Sequence, residues 1–402
     1  MKTRRILALF CGLTLFLGGC SIPLVKEKQP NTTKESYADP LKYQSDYQTR
    51  LQYQHLNKDE QHCYGILYTA IKEATITDSF VTTEDGKQHP GVRVPFDITL
   101  TKESMSRLYE FFLKDNPELF YLDRTYSLEG RQEGEKAVYD TLLIQFTLSL
   151  NERQAAIQQL NNAVDDILSD CPDTADDYVI EKYFHDYLVV SCVYDEEAAS
   201  TSFGTHENAY SVYGALVEGR AVCEGYAKAM QLLLNKKSIP ATVVMGYAIE
   251  DWESHMWNLV YINGSYYYLD VTWDDNDTLP HYTYFNITYD SLKRTHQPDE
   301  GQLDNIVCNN TADNYFVRNN AYCTTYERES IARAIAQKVG EGEVVIHLQF
   351  APEVYANALL FLKDISLTQK KVNNQLGNRI KMWNYALSTQ SNQYTITLIR
   401  TN

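Results

Sequence analysis

One stretch of the sequence, residues 219–275, constrains the fold more than any other. Its first part predicts an α-helix, because apolar residues recur at helical spacing after Cys223: Ala227, Met230, Leu233 and Leu234. Cys223 then occupies the first turn, where unpaired amides and the helix dipole favour a thiolate and can hold an oxyanion. Gly219 and Gly225 suit a tight entry with close backbone approach. A buried, inert thiol is the common alternative for a lone cysteine.

Two strand-forming runs follow, residues 259–262 and 266–269, on either side of Asn263-Gly264. Asn-Gly between such runs is a strong signal for a two-residue hairpin turn, which fixes the register of the two strands. In that register His255 and Asp270 lie on one face as diagonal neighbours, roughly 7 Å apart, within reach of an imidazole–carboxylate hydrogen bond. The sequence therefore predicts a triad of Cys223, His255 and Asp270, with the cysteine as nucleophile.

The same residues resemble the core of the transglutaminase-like superfamily of papain-type thiol enzymes, and in particular its secreted bacterial members. Three motifs occur in order over residues 180–290: Gly219-x-x-Val222-Cys223-x-Gly225-Tyr226-Ala227, His255-x-Trp257-Asn258 and Asp270-x-Thr272-Trp273. Met256 stands where Ala is usual in the family, and Tyr267 where Trp is common. The resemblance implies an α+β catalytic core in which a helix bearing the cysteine packs on an antiparallel sheet. It also implies that Cys223 is the nucleophile, His255 the base and Asp270 the orienting acid.

The N-terminus has the features of an export signal. Lys2, Arg4 and Arg5 precede an apolar run that is too short to span a bilayer, and the run ends in Leu17-Gly18-Gly19-Cys20. The cysteine at the end makes the segment resemble a bacterial lipoprotein signal, which implies lipid on Cys20 after cleavage. An ordinary secretory signal is the alternative. We therefore expect a protein anchored by lipid to the extracytoplasmic side of the cell membrane.

The negative net charge of the chain limits the classes of molecule that it can bind. The formal net charge is −17, and removal of residues 1–19, which carry three positive charges and no negative ones, takes it to −20. An acidic chain without basic clusters is a poor nucleic-acid binder, and an anionic membrane would repel it. We expect no nucleic-acid partner, a membrane contact made only through Cys20, and a protein or peptide substrate, with cell-wall-associated material among the candidates. The motifs call for no cofactor.

The chain divides by pattern into five parts. These are a signal peptide (1–19), a polar linker (20–50), an N-terminal α/β module (51–150), the catalytic domain (151–320) and a C-terminal α/β module (325–402). The pattern predicts an Asn151 cap for a helix ending at Ser169. It also predicts a loop near the active-site mouth at residues 194–204 and a helix at residues 208–217.

Other reactive side chains have ordinary explanations. His185 and His206 are expected to be satisfied core or surface histidines. The run Asp274-Asp275-Asn276-Asp277 lacks the Gly and Glu of a calcium loop and is expected to be a solvated turn. No zinc spacing or phosphate loop is present, so no metal site is predicted. Five further cysteines are expected to be mostly buried free thiols, although the last two are close enough for a small disulfide loop: Cys63, Cys171, Cys192, Cys308 and Cys323.

These features together predict a thiol enzyme that forms an acyl-enzyme from a peptide, isopeptide or glutamine amide. Water as the second substrate would make it a peptidase or amidase, and an amine would make it a transglutaminase. The sequence leaves that choice open. The alternative from another class is a noncatalytic cell-surface binding or assembly module with a vestigial site, and the three intact polar residues argue against it.

Overall fold

A computed structural model describes most of the chain from residue 50 onward. The described residues are 50–83, 86–201, 206–275, 281–301, 303, 305–354, 370–374, 380–388 and 393–400, with the backbone alone described for residues 380–388 and 393–400. Cys20 and the segment around it lie outside these ranges. Among the described residues, no helix is long and apolar enough to cross a membrane.

The first described module packs helices on one antiparallel sheet with strand order β1-β2-β4-β3. Its elements are α1 (Leu51–Gln54), α2 (Lys58–Thr75), β1 (Phe80–Thr82), β2 (Gln88–Leu100), α3 (Lys102–Asp115), β3 (Leu122–Glu133) and β4 (Lys136–Phe146). Capping side chains set the helix starts, since Asn57 accepts from the Asp59 and Glu60 amides and Thr101 accepts from the Ser104 amide. The module has an apolar core of its own, in which Leu67, Phe112 and Leu142 are fully buried.

The middle of the chain surrounds a second antiparallel sheet, with strand order β10-β7-β8-β9. The strands of this sheet are β7 (Ala241–Ala248), β8 (Ser254–Ile262), β9 (Ser265–Leu269) and β10 (His296–Pro298). Two short strands, β5 (Val193–Tyr194) and β6 (Arg220–Ala221), form a separate parallel pair. The helices of this part of the chain are α4 (Leu150–Ser169), α5 (Asp177–Ser191), α6 (Glu196–Ser200), α7 (Cys223–Lys236), α8 (Val271–Asp274), α9 (Tyr289–Leu292) and α10 (Tyr315–Arg318). Helix α7 lies against β7 and β8 at the centre of this region.

The last described part contains a helix and a third sheet, with strand order β11-β12-β14-β13. Its elements are β11 (Tyr322–Cys323), α11 (Arg328–Glu341), β12 (Val345–Phe350), β13 (Ile380–Ser388) and β14 (Gln393–Arg400). One buried apolar cluster joins this part to the middle of the chain, because Ile335 and Leu348 pack in the same core as Leu188 and Leu233. The fold is α+β, as the sequence predicts.

Three local predictions differ from the structure. Ser149, rather than Asn151, is the N-cap of α4, and its amide donates to the Glu152 carboxylate at 3.0 Å. The loop expected at residues 194–204 contains the short helix α6, which Asp195 caps. The helix expected at residues 208–217 is instead a 3₁₀ turn (Glu207–Tyr210) followed by a π-helical turn (Gly214–Glu218).

Candidate active site

Cys223 is the first residue of α7, as predicted. The residue before it, Val222, occupies the N-cap position and has no side-chain oxygen with which to cap the first amides of the helix. The chain reaches this point through Gly219, whose φ of 67° lies in the left-handed region that favours glycine. The Cys223 side chain is partly exposed and packs beside Met245 against Val243 and Met256. The thiol is therefore accessible while its backbone is fixed by a helix start.

Gly225 allows the cysteine turn to approach its neighbours closely. A Cβ at this position would lie 2.6 Å from the Ala209 carbonyl oxygen and 2.7 Å from the Ala221 Cβ. Side chains do not tolerate such distances, so the 3₁₀ turn at Glu207–Tyr210 can pack on α7 only because residue 225 lacks a side chain. The expectation of close backbone approach is confirmed here.

His255 and Asp270 lie on one face of the β8–β9 hairpin, in the predicted register. Ile262 pairs with Ser265 across the Asn263-Gly264 turn, and Asn258 pairs with Leu269. The His255 Nε2 atom is 2.7 Å from Asp270 Oδ2, and both side chains are buried. The other carboxylate oxygen, Oδ1, accepts from the Trp273 amide at 3.2 Å, because Asp270 caps α8. Two separate hydrogen bonds therefore fix the orientation of the carboxylate.

The charges at this site favour a protonated imidazole beside Cys223. Burial alone would lower the pKa of His255. The Asp270 carboxylate and a hydrogen bond with the Cys223 sulfur reverse that effect and raise the pKa to about 10. Burial would likewise raise the pKa of Asp270, but His255 and His296 hold it below its usual range. Because Nε2 is bonded to Asp270, Nδ1 is the ring nitrogen left to face the thiol.

Asn258, the last residue of the histidine motif, links β8 to the cysteine helix. Its Nδ2 donates to the Ala227 carbonyl oxygen in α7 at 2.8 Å, and the side chain is fully buried. The bond holds the strand that carries His255 against the helix that carries Cys223. The motif is visible in the sequence, but this contact is not, because it joins residues 31 positions apart.

Glu224, directly after the candidate nucleophile, is neutralised by two cations. Its Oε1 lies 2.5 Å from an Arg124 nitrogen and 2.7 Å from Lys228 Nζ. Burial would raise the pKa of Glu224, but these two neighbours lower it, so the carboxylate is charged. Lys228 is one turn further along α7, whereas Arg124 comes from β3 of the first module. A charge that would oppose a thiolate at residue 223 is thereby balanced partly by Arg124, from outside the middle region.

Two residues near the triad were not predicted. His296, on β10, places its Nε2 3.1 Å from Asp270 Oδ2, the same oxygen that His255 contacts. Tyr194 lies close enough to Cys223 that burial and the charge of that thiol raise the pKa of its phenol. The sequence signal for Tyr194 was only its place in a segment expected near the active-site mouth. For His296 there was no signal.

The structure places the other candidates away from the thiol. His185 is buried and satisfied, with Nδ1 3.0 Å from Asp186 and Nε2 3.3 Å from Asp274. Asp274 is therefore a buried partner rather than part of a solvated turn, and it also accepts from the Tyr284 amide at 3.0 Å. His206 is a partly exposed histidine 3.8 Å from Glu197.

Among the described residues, His255, Asp270 and His296 also offer ligand atoms within 4.8 Å of one another, as a metal site requires. Both Nε2 atoms, however, point at one carboxylate oxygen as hydrogen-bond donors. A metal would need both nitrogens deprotonated and would replace the hydrogen bonds that they donate to Asp270. We therefore assign the group to hydrogen bonding.

Comparison with known proteins finds a family domain in this part of the chain. A model described as the transglutaminase-like superfamily matches residues 162–271, a range that includes Cys223, His255 and Asp270. The chain carries a transglutaminase-like domain. No curated protein matches the chain.

Two solved structures resemble the chain at low identity. A crystal structure titled a TGase is 15% identical, with a TM-score of 0.28, and the match covers 47% of this chain and 52% of that one. A predicted cysteine protease from Cytophaga hutchinsonii is 16% identical, with a TM-score of 0.24, and the match covers 38% of this chain and 63% of that one. The chain thus spans between about half and two thirds of the length of these two structures.

Proposed function

We propose that the transglutaminase-like domain catalyses acyl transfer from a peptide, isopeptide or glutamine amide, with Cys223 as nucleophile, His255 as base and Asp270 as orienting acid. The observation that carries the proposal is the 2.7 Å contact between His255 Nε2 and Asp270 Oδ2, beside a cysteine at a helix start. Lipid on Cys20 holds the enzyme on the extracytoplasmic side of the membrane. Its substrates are proteins or peptides.

The reaction has two halves. The thiol proton of Cys223 resides on His255 before substrate binds, and the resulting thiolate attacks the amide carbonyl carbon while the first amides of α7 hold the oxyanion. The C–N bond breaks, the leaving amine takes the proton from His255, and a thioester remains. Water or a second amine then attacks the thioester as His255 accepts its proton. The C–S bond breaks, and the released thiolate and the protonated His255 restore the starting pair. Water yields an acid, and an amine yields a new amide.

The first test measures the thiol itself. Because Cys223 lies at a helix start beside a protonated imidazole, iodoacetamide at pH 6 should label it quickly. Cys323 is the matched control: it is also partly exposed, but burial raises its pKa to about 11. Peptide mass spectrometry gives both rates. Labelling of Cys223 no faster than that of Cys323 would contradict the proposal and favour the noncatalytic module.

The second test measures turnover. Cys223→Ala should abolish it while leaving the melting temperature nearly unchanged, whereas Cys323→Ala should retain it. Double variants of Cys223 and His255 should lose little more than the single ones, because such residues act as a unit. Peptide and glutamine-amide substrates, offered with and without a labelled amine, separate the two outcomes. Incorporation of the amine identifies a transglutaminase, and hydrolysis alone identifies a peptidase or amidase.

A further inference from the structure

We propose that His296 is a positioning residue that acts through Asp270, an inference that rests on the proposed function of the triad. It holds Asp270 Oδ2 in the one orientation that bonds to His255. The starting observation is that one carboxylate oxygen serves two imidazoles, with His255 Nε2 at 2.7 Å and His296 Nε2 at 3.1 Å. His296 is fully buried, so this bond has no competition from bulk water.

The hydrogen bonds of His296 fix its tautomer. A carboxylate only accepts, so Nε2 must carry the proton that is donated to Asp270. The other nitrogen, Nδ1, is 2.8 Å from Thr295 Oγ1, whereas the Leu292 carbonyl oxygen is 3.4 Å from the same hydroxyl. In a neutral ring Nδ1 accepts, so the hydroxyl donates along the shorter of these two contacts. Burial lowers the pKa of His296, which is consistent with a neutral ring. A neutral donor can hold the carboxylate without taking over the charge on which the His255 imidazolium depends.

An aromatic enclosure holds the His296 ring in place. Trp273 and Trp257 lie 4.3 and 4.8 Å away, measured between ring centroids, and Tyr284 lies 5.4 Å away. The ionisable groups facing the ring are Asp270, His255 and Tyr284. Residue 296 also pairs with Ala248 across β10 and β7, so the backbone is fixed as well. A ring fixed on every side is suited to orient its partner.

The test uses the pH dependence of Cys223 alkylation by iodoacetamide, which needs no knowledge of the substrate. His296→Phe keeps a ring but removes the donor to Asp270 Oδ2. The Trp273 amide still holds Oδ1, but Oδ2 loses its second restraint, so its bond to the His255 imidazolium is weakened. We expect Cys223 to alkylate roughly tenfold more slowly at pH 6, because a hydrogen bond to a charged group is lost. The pH of half-maximal rate should rise. Asp270→Asn should shift it in the same direction.

Conservative variants separate positioning from simple packing. In His296→Gln an amide N–H replaces the Nε2 donor, so most of the wild-type pH profile should return. Thr295→Val, which removes the hydroxyl that fixes the tautomer, should give a smaller shift in the same direction. It also tests the proposal if His296→Phe fails to fold. His347→Phe is the matched control, because His347 is another buried histidine among aromatic rings, on β12. It should leave the profile unchanged.

The outcomes distinguish this inference from the proposed function. Slow labelling of Cys223 at pH 6 in the wild-type protein contradicts the triad itself. Fast wild-type labelling, with an unchanged or downward-shifted profile in folded His296→Phe or Thr295→Val, overturns the role of His296 alone. Loss of melting temperature without a change in the profile shows packing only and also overturns it.

Discussion

At the scale of single residues, the site depends on positions where a side chain is absent as much as on those where one is present. Gly225 lies two residues after the nucleophile, and an added Cβ would be 2.6 Å from the Ala209 carbonyl oxygen, which belongs to the backbone. Since a backbone oxygen cannot rotate away, relief requires movement of either α7 or the 3₁₀ turn. Either movement displaces Cys223 relative to His255.

Gly225→Ala should therefore cost about 1–3 kcal/mol of unfolding free energy, as overpacking does. It should also slow the labelling of Cys223 at pH 6. Gly340→Ala in α11 is the control, because no atom lies within 4 Å of its added Cβ. That change should be neutral or stabilise by up to about 1 kcal/mol, since alanine favours helices. Urea unfolding of both variants measures the difference, and equal stability of the two would show that the site can absorb the methyl group.

At the scale of elements, a buried histidine–aspartate pair joins α5 to α8, the short helix that follows β9, and to the chain at Tyr284. His185 on α5 contacts Asp274 at the end of α8, and Asp274 in turn accepts from the Tyr284 amide. Burial would lower the pKa of His185, but Asp186 and Asp274 raise it to about 9. The contact fixes the C-terminal end of α8, the short helix whose N-terminus Asp270 caps.

Because the pKa of His185 is raised in the folded protein, the free energy of unfolding falls as the pH rises. The stability contributed by His185 is fully present below pH 6.5, the ordinary value, and is lost as pH rises through about 9. His185→Gln should reduce the slope of this part of the stability curve and leave the slope that His255, whose pKa is also raised, contributes. It should also cost about 3–5 kcal/mol at pH 8, where Asp274, whose pKa burial raises to about 6, is charged and loses its partner.

Urea unfolding between pH 6 and 9 measures the curve. His206→Gln is the control, because His206 is partly exposed and its contact with the Glu197 carboxylate, at 3.8 Å, is long and weak. It should leave both the stability and its slope nearly unchanged. If the plot of unfolding free energy against pH for His185→Gln ran parallel to that of the wild type, His185 would not be the source of this pH dependence.

Contacts between residues close in sequence could be predicted, whereas contacts between residues far apart in sequence could not. His255 and Asp270 were placed on one face because a two-residue turn fixes the register of strands that are adjacent in sequence. His296 was not predicted, because β10 reaches Asp270 only by pairing at the sheet edge with β7, some fifty residues earlier in the chain. The helix expected at residues 208–217 failed because an apolar pattern does not distinguish an α-helix from the 3₁₀ and π turns that accommodate Gly214 and Gly225.

At the scale of the whole molecule, the proposed lipid anchor would hold the protein at the membrane. The net charge near −20 after removal of residues 1–19 opposes direct contact with an anionic membrane, so the proposed attachment rests on lipid at Cys20. Cys20→Ser should leave the signal uncleaved or release the protein into the medium, whereas Cys323→Ser should stay with the membrane. Fractionation and intact mass measure this. An unmodified N-terminus other than Cys20 in the wild-type protein would contradict the anchor.

The ion pair between Arg124 and Glu224 has a consequence for transfer of the family domain to another protein. The family domain, residues 162–271, does not contain all the contacts of its own site. The Glu224 carboxylate beside the candidate nucleophile is balanced in part by Arg124, 100 positions earlier in the chain. Grafted onto another scaffold, the segment would keep Lys228 and lose Arg124, so Glu224 would face one cation instead of two next to the thiol. We therefore expect a graft of residues 162–271 alone to lose this ion pair, and a graft that also carries Arg124 to keep it.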